Sequence, residues 1–273
     1  MPNANTLNPL PLLMEPEQVP ADLDPARYRL VDLSSTEQYL AGHLPGAVHL
    51  APGSTTTPAP IPGLLPELDS LQQMFGGLGH HSGLHYIVYD DEGGGWAGRF
   101  IWILDSIGHA GYSYLNGGLA AWKAAGLPLE QQPHQAEPTQ PTLTVNTEHT
   151  VTASDVLANL QDTDRVIWDA RSPAEYRGEK VFAAKGGHIP GAINFEWTAG
   201  MDPARGLRLR QDLSACLQTL GITPDKEIVT HCQTHHRSGF TYLAAKLLGY
   251  PRVKAYAGSW SEWGNHPDTP VEL

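Results

Sequence analysis

The sequence predicts an α/β protein of two homologous domains, each a mostly parallel sheet flanked by helices. Three observations lead there. The first is an internal repeat. Asp32-Leu33-Ser34-Ser35, followed by Gly42-His43-Leu44-Pro45-Gly46-Ala47, returns as Asp169-Ala170-Arg171-Ser172 and Gly187-His188-Ile189-Pro190-Gly191-Ala192. The second is a gapless match at an offset of 141, from Ile87 to Ile228, that pairs Gly98 with Gly239, Gly108 with Gly249, Gly117 with Gly258 and Trp122 with Trp263. The third is an alternation of short apolar runs with segments of helical length, the pattern of strand–helix units on a parallel sheet.

The elements follow in order. Tyr28–Leu33, Tyr86–Tyr89, Arg165–Asp169 and Glu227–Thr230 are β-branched or aromatic-rich runs and read as buried parallel strands. Phe100–Ile107 and Phe240–Leu248 read as helices, with Gly108 and Gly249 placed to end them in the left-handed conformation. Asp32 to Asp169 spans 137 positions and His43 to His188 spans 145, so the second copy carries eight extra residues, in the Arg177 to Gly186 region. Gln131 through Thr142 is rich in Pro, Gln and Thr and reads as an extended linker docked on the surface. The expected division is an N-terminal domain over 1–130, a linker over 131–148 and a C-terminal domain over 149–273. His43 and His188, each before a Leu/Ile-Pro-Gly turn, read as turn-fixing residues. Asp169 and Arg171 read as a buried structural pair.

Composition narrows the function. The chain has 273 residues, 41% of them hydrophobic and 17% charged, which is enough apolar material for a core and excludes a disordered chain. Its net charge of −12 argues against nucleic acid as a partner, because phosphate binding needs a basic surface. No apolar run reaches the roughly 20 residues that cross a bilayer. Met1 to Val19 has no basic residue before its Leu/Pro stretch, unlike a signal peptide. With two cysteines there is no disulfide framework, and the cytoplasm is the expected location. The charge is also uneven. Residues 1–150 hold Arg27, Arg29, Arg99 and Lys123 against fifteen acidic side chains, whereas residues 151–273 hold thirteen basic and fourteen acidic ones. An anion site therefore belongs in the second copy.

The chemistry concentrates in Thr230-His231-Cys232-Gln233-Thr234-His235-His236-Arg237-Ser238-Gly239. A cysteine that leaves a strand just before a helix meets backbone N–H groups and the positive end of the helix dipole. Both favour the thiolate, the nucleophilic form. Arg237, and His235 or His236 when protonated, add positive charge for an anionic substrate, with Gln233 and Thr234 in the same loop. Cys216, in Ala215-Cys216-Leu217 of an expected helix, reads instead as a small buried apolar residue. The same loop has two other chemical uses in principle. Cys232, His235 and His236 have metal-like spacing, but structural zinc takes four ligands in paired clusters and no second cluster stands out, so no metal is expected. A cysteine-phosphatase loop has five residues between Cys and Arg. Here there are four, and the tighter cradle suits one sulfur atom better than a tetrahedral phosphate.

The two Asp…His-x-Pro-Gly-Ala stretches and the Cys-x4-Arg loop resemble the tandem-domain rhodaneses, thiosulfate:cyanide sulfurtransferases, from about Pro16 to Val271. The string Cys-Gln-Thr-His-His-Arg resembles the active loop of a bacterial rhodanese subgroup. The resemblance implies two rhodanese-like domains of which the C-terminal one is catalytic, with Cys232 carrying sulfur as a covalent persulfide and no other cofactor. It implies thiosulfate as donor, sulfite as leaving group and cyanide or another thiophile as acceptor. Delivery to a sulfur-acceptor protein and a mercaptopyruvate-type activity are the alternatives. Asp91 stands where Cys232 stands and Trp96 where Arg237 stands, so the first copy is expected to be inactive and its Gly93-Gly94-Gly95 loop structural or packed on the second domain. The related families resemble one another in an arginine four residues after the one matching Arg171. Glu175 occupies that place here, and Arg177 is the expected substitute for substrate binding. Trp197 is expected to pack near the loop.

Overall fold

Tyr28-Arg29-Leu30-Val31-Asp32 and its counterpart Arg165-Val166-Ile167-Trp168-Asp169 each bury their last three residues, as strands covered on both faces must. A computed structural model describes residues 10–273 and builds a sheet around each of these strands. Residues 1–9, on which part of the signal-peptide reading rests, lie outside the described residues.

The first domain runs β1 (Leu13–Met14), β2 (Tyr28–Asp32), α1 (Thr36–Ala41), β3 (Val48–His49), α2 (Leu68–Gly77), β4 (His85–Tyr89), α3 (Gly95–Ser106), β5 (Tyr112–Leu115) and α4 (Gly118–Ala124). Its five strands are all parallel, in the order β1-β5-β4-β2-β3, with Leu30 beside Ile87. The second domain runs α5 (Ala153–Ala158), β6 (Arg165–Asp169), α6 (Pro173–Tyr176), β7 (Ile193–Asn194), β8 (Met201–Asp202), β9 (Arg208–Leu209), α7 (Leu213–Thr219), β10 (Glu227–His231), α8 (Arg237–Leu247), β11 (Val253–Ala255) and α9 (Ser259–Trp263). Its sheet order, β11-β10-β6-β7, repeats β5-β4-β2-β3, and β8 and β9 form a separate antiparallel pair. In both sheets the strand before the loop of interest, β4 or β10, is interior. Its carboxyl end opens where parallel sheets bind ligands.

Both central helices begin before their expected starts, at Gly95 and Arg237 instead of Phe100 and Phe240. The polar and glycine-rich first turns carry no apolar period, yet their backbone is already helical. The ends fall as expected: Gly108 and Gly249 have φ of 72° and 78°, just past the last helical turns.

The helices α3 and α8 cross at the glycine pair the repeat had matched. A Cβ on Gly239 would sit 2.5 Å from the Arg99 nitrogen and the Gly95 carbonyl oxygen, and one on Gly98 would overlap the Gly239 carbonyl. This close approach lets Phe100 and Trp102 join Phe240 and Leu243 in one core that spans both domains. Asp105 of α3 ties the crossing further, accepting hydrogen bonds from Tyr242 and Tyr112 at 2.6 Å each and pairing with Lys246.

The segment after α4 docks on the first domain as expected. Thr139 donates to the Gly76 carbonyl at 3.0 Å, Asn146 to the Ser106 carbonyl at 2.9 Å, and Ala136 and Leu143 are buried. The turn histidines also match the reading: His43 stacks on Tyr39 and His188 on Tyr176, each at 3.7 Å, with Nδ1 on the same tyrosine's carbonyl oxygen. Asp169 and Arg171 form a buried ion pair at 2.6 Å, with the guanidinium over the Trp260 ring. Cys216 departs from its reading. It is half-buried on α7, with its thiol 3.7 Å from the Asp212 carboxylate. The helix is short, and its apolar face is filled by Leu213 and Leu217.

Candidate active site

Cys232 follows β10 directly and is 1% exposed. Its N–H donates to Ser259 Oγ at 3.2 Å, its carbonyl accepts from Trp260 N–H at 2.9 Å, and the Gln233 carbonyl accepts from Ser261 N–H at 2.9 Å. The first turn of α9 thus pins the start of the loop. His235 then takes a left-handed φ of 57°, at the position where the first domain has Gly94 with φ 120°. Beyond that pinning, the N–H groups of Gln233, Thr234, His235, His236 and Arg237 donate to no other described residue. A buried sulfur at the end of a strand is therefore followed by a run of unpaired donors, an arrangement suited to negative charge.

The loop side chains are dispersed more widely than the sequence suggests. Arg237 is claimed by Glu175, whose carboxylate takes two parallel hydrogen bonds at 2.7 and 2.8 Å. Burial works against both charges, but the bidentate pair prevails. It raises the Arg237 pKa and, with Ser172, holds the Glu175 carboxyl at about 2. Arg177 is not brought to the site. It pairs with Glu179 at 2.7 Å and both side chains are more than half exposed, so it is corrected from a substrate-binding residue to a surface one. The eight-residue insertion carries it outward, and Glu175 instead faces the loop from α6.

His235 is also corrected as a source of positive charge. It is fully buried, shares a 2.8 Å hydrogen bond with Ser238 Oγ and meets the edge of Trp102 at 4.6 Å. Burial, reinforced by Arg99, pushes its pKa well below the usual value, so the ring is neutral. His236 turns to the first domain, stacking on Trp96 at 4.1 Å with Nε2 2.9 Å from Glu92, and Trp197 flanks it at 5.4 Å. The Gln233 side chain donates to the Phe182 carbonyl at 3.3 Å, in the inserted segment. Thr234 packs its carbonyl against Gly63. His231 is fully buried beside Asp169 at 3.6 Å, and burial lowers its pKa to about 4.

The loop does not gather metal ligands. Among the described residues, the one group of three such side chains with ligand atoms within 4.8 Å of one another is His43 and Glu130 of the first domain with His134 of the linker. Glu130 there accepts from the Gly46 N–H, as Glu272 does from Gly191, so it closes the Pro-Gly turn in both copies. A cavity of about 620 Å³ also lies in the first domain, lined by Tyr28, Trp122 and His134 among others, away from the loop.

The equivalent loop of the first domain is packed on the second domain, with Gly93 against Met201 and Gly95 against His236 and Trp197. Two contacts of the loop escaped the sequence reading: Glu175 as the partner of Arg237, and Ser259 as the acceptor for Cys232. Ser259 was within reach, since the 141 offset pairs it with Gly118 and both hold a left-handed φ.

The rhodanese-like domain family matches twice, over residues 15–125 and 152–266. The thiosulfate sulfurtransferase of Azotobacter vinelandii is 59% identical over 265 residues, covering 97% of this chain and 98% of that protein. The protein of that name from Pseudomonas aeruginosa is 58% identical over 265 residues with the same coverage. Among solved structures, the anaerobic ergothioneine biosynthesis enzyme of Chlorobium limicola superposes with a TM-score of 0.83 over 96% of this chain and 70% of that one, at 23% identity. At that identity the likeness concerns the fold.

Proposed function

The chain belongs to the rhodanese family, and from that premise we propose that it is a thiosulfate sulfurtransferase working through a Cys232 persulfide. In this reading residues 149–273 form the catalytic domain, residues 1–130 a non-catalytic one, and residues 131–148 the linker. The supporting observation is the run of N–H groups over residues 233–237 with no partner among the described residues, directly after a buried cysteine.

The Cys232 thiolate attacks the outer sulfur of thiosulfate. A Cys–S bond forms, the S–S bond of thiosulfate breaks, and sulfite departs with its electron pair. The terminal sulfur of the persulfide carries negative charge, and the loop N–H groups stabilise it as an oxyanion hole stabilises an alkoxide. Cyanide then attacks that outer sulfur, thiocyanate leaves, and the thiolate is regenerated. Two half-reactions through a covalent intermediate give double-displacement kinetics. Because Arg237 is bound to Glu175, its part is to fix the far end of the loop; backbone donors, including those of Gln233, Thr234 and His236, carry the anion. A mercaptopyruvate-type activity has less support, since the relatives 58–59% identical to this chain carry the thiosulfate sulfurtransferase name.

Delivery of the sulfur to a protein acceptor draws on one observation: the inserted segment exposes Val181 and Phe182 beside Gln233. Transfer to a protein with no turnover of small thiophiles favours that reading. The deciding experiment is the intact mass of the protein before and after thiosulfate, and again after cyanide, with peptide mapping. The expected result is one sulfur gained on Cys232 and lost to cyanide. No gain on a reduced Cys232 overturns the proposal.

A further inference from the structure

We propose that Arg99, on the first domain's α3, is a positioning residue for the second domain's reaction: its buried guanidinium is the fixed positive charge against which the Cys232 loop holds an anionic sulfur. The inference deepens the proposed sulfur chemistry and places part of its electrostatics in the domain that lacks the cysteine.

Arg99 is fully buried, and its donors go to backbone carbonyls: Thr55 at 2.9 Å, Gly63 at 2.8 Å and Leu64 at 3.0 Å. Among the described residues no carboxylate pairs with it. Keeping a cation in such a place is costly unless an anion compensates. Burial lowers its pKa to about 10, and the Cys232 sulfur opposes this drop, as it also acts on Arg237.

The carbonyls that Arg99 gathers belong to the segment that covers the loop. A Cβ on Gly63 would come within 3.0 Å of the Thr234 carbonyl and overlap that of Ala257. The guanidinium lies over Trp102 at 5.5 Å, and the edge of that ring meets His235.

The repeat supplies an internal control. Arg99 and Phe240 occupy the same position, one residue past the crossing glycines. Phe240 reaches across the crossing to the first domain's loop, where a Cβ on Gly94 would sit 3.1 Å from its ring. Arg99 turns the other way, to the Thr55–Leu64 segment that packs on the Thr234 carbonyl, and lies over Trp102, whose edge meets His235, the counterpart of Gly94. The loop whose N–H groups are already occupied by its own Asp90 faces a phenyl ring, and the loop whose N–H groups have no partner among the described residues is covered by a segment and a tryptophan that a guanidinium holds. An apolar side chain serves this position in one copy, so helix packing alone does not demand an arginine in the other.

The test uses the full-length chain with Cys216→Ser, so that alkylation by iodoacetamide reports Cys232 alone. The pH dependence of that rate is compared for Arg99→Gln and Arg99→Lys, alongside kcat and KM for thiosulfate. Arg99→Gln is expected to move the alkylation midpoint upward, slowing the reaction about tenfold at pH values below it. Arg99→Lys keeps the charge without the forked geometry and is expected to recover most of that loss. Equal midpoints for the two variants, or an unchanged midpoint in a folded Arg99→Gln, would overturn the inference. Should Arg99→Gln fail to fold, Arg99→Met takes its place as the charge-free variant: about tenfold slowing in Arg99→Met with recovery to within about twofold of the parent in Arg99→Lys upholds the role of charge, and equal rates in the two overturn it. Alkylation needs no thiosulfate, so failure of the persulfide cycle in the parent chain is distinguishable from failure of this inference.

Discussion

In the first domain the loop after β4 closes on itself. The Asp90 carboxylate accepts from the N–H groups of Glu92, Gly94 and Ala97 at 3.1, 2.8 and 3.0 Å. In the second domain the same position is His231, which lies 3.6 Å from Asp169 and leaves the donors of residues 233–237 without a partner among the described residues. A side-chain carboxylate thus occupies one cradle permanently, and the other is free for an anion from outside. Around the closed loop, burial and Asp90 raise the Asp91 pKa to about 6, an acidic setting that would repel thiosulfate. The comparison teaches that the two copies diverged by more than the loss of a cysteine: the first domain fills its cradle with its own carboxyl oxygens.

The largest expected effect is on the nucleophile. Cys232→Ala should lower thiosulfate turnover by about a thousandfold or more, whereas Cys216→Ser should leave it within about twofold, both read as kcat/KM. Equal losses from the two substitutions would remove Cys232 from its role. The next effect sharpens the comparison itself. His231→Asp installs the first domain's carboxylate in the second domain, where it can take up the loop donors. Persulfide formation, followed by intact mass, should slow by about a hundredfold while Cys232 remains present. Unchanged loading would mean that the N–H groups do not hold the sulfur.

How much of this was legible in the sequence differs by element. Repeated glycines and an aligned Asp…His-x-Pro-Gly-Ala announced two sheets, because turns and helix ends admit few other residues. Cys232 stood out because Gln, Thr, His and Arg beside it are unsuited to a core. Arg177 misled because a surface arginine two positions from the expected place looks equivalent on paper. Only the α6 backbone shows that Glu175 points to the loop. The His235 reading erred because charge was assigned by residue type, whereas the left-handed turn buries the ring against Trp102. Arg99 was hidden for another reason. Its effect crosses between domains at Gly98 and Gly239, and no spacing along the chain encodes that juxtaposition.

Two acid transitions distinguish the copies by stability. His231 has a folded pKa of about 4 against an ordinary 6.5, so below pH 6.5 the unfolded chain takes up the proton first. Stability from this group is present above pH 6.5 and is lost as pH falls toward 4, by about 3 kcal/mol. Chemical denaturation at stepped pH should show this loss shrink in a folded His231→Gln variant. Glu175 acts in a lower window. Its carboxyl is held at about 2 against 4.5, so the stability it contributes is present above pH 4.5 and lost as pH falls through 2. Glu175→Gln places in α6 the residue that the first domain has at Gln38. It should cost about 1–3 kcal/mol at neutral pH and remove that lower transition.

The smallest effect tests the point where the two copies differ most in length. The insertion puts Arg177 on the surface, paired with Glu179, and both are more than half exposed. Exposed pairs of this kind contribute about 0–1 kcal/mol, so Arg177→Ala should shift the denaturation midpoint only slightly. Its effect on catalysis follows from distance and from Glu175. The residue that faces the loop from α6 is an anion already bound to Arg237, and Arg177 has no contact with Cys232 through which to act. kcat and KM for thiosulfate should both stay within about twofold of the parent. A rise in KM well beyond that, with kcat unchanged, would mean that the inserted segment folds over the loop when substrate binds and brings Arg177 with it. The second domain would then differ from the first by a moving cation as well as an open cradle.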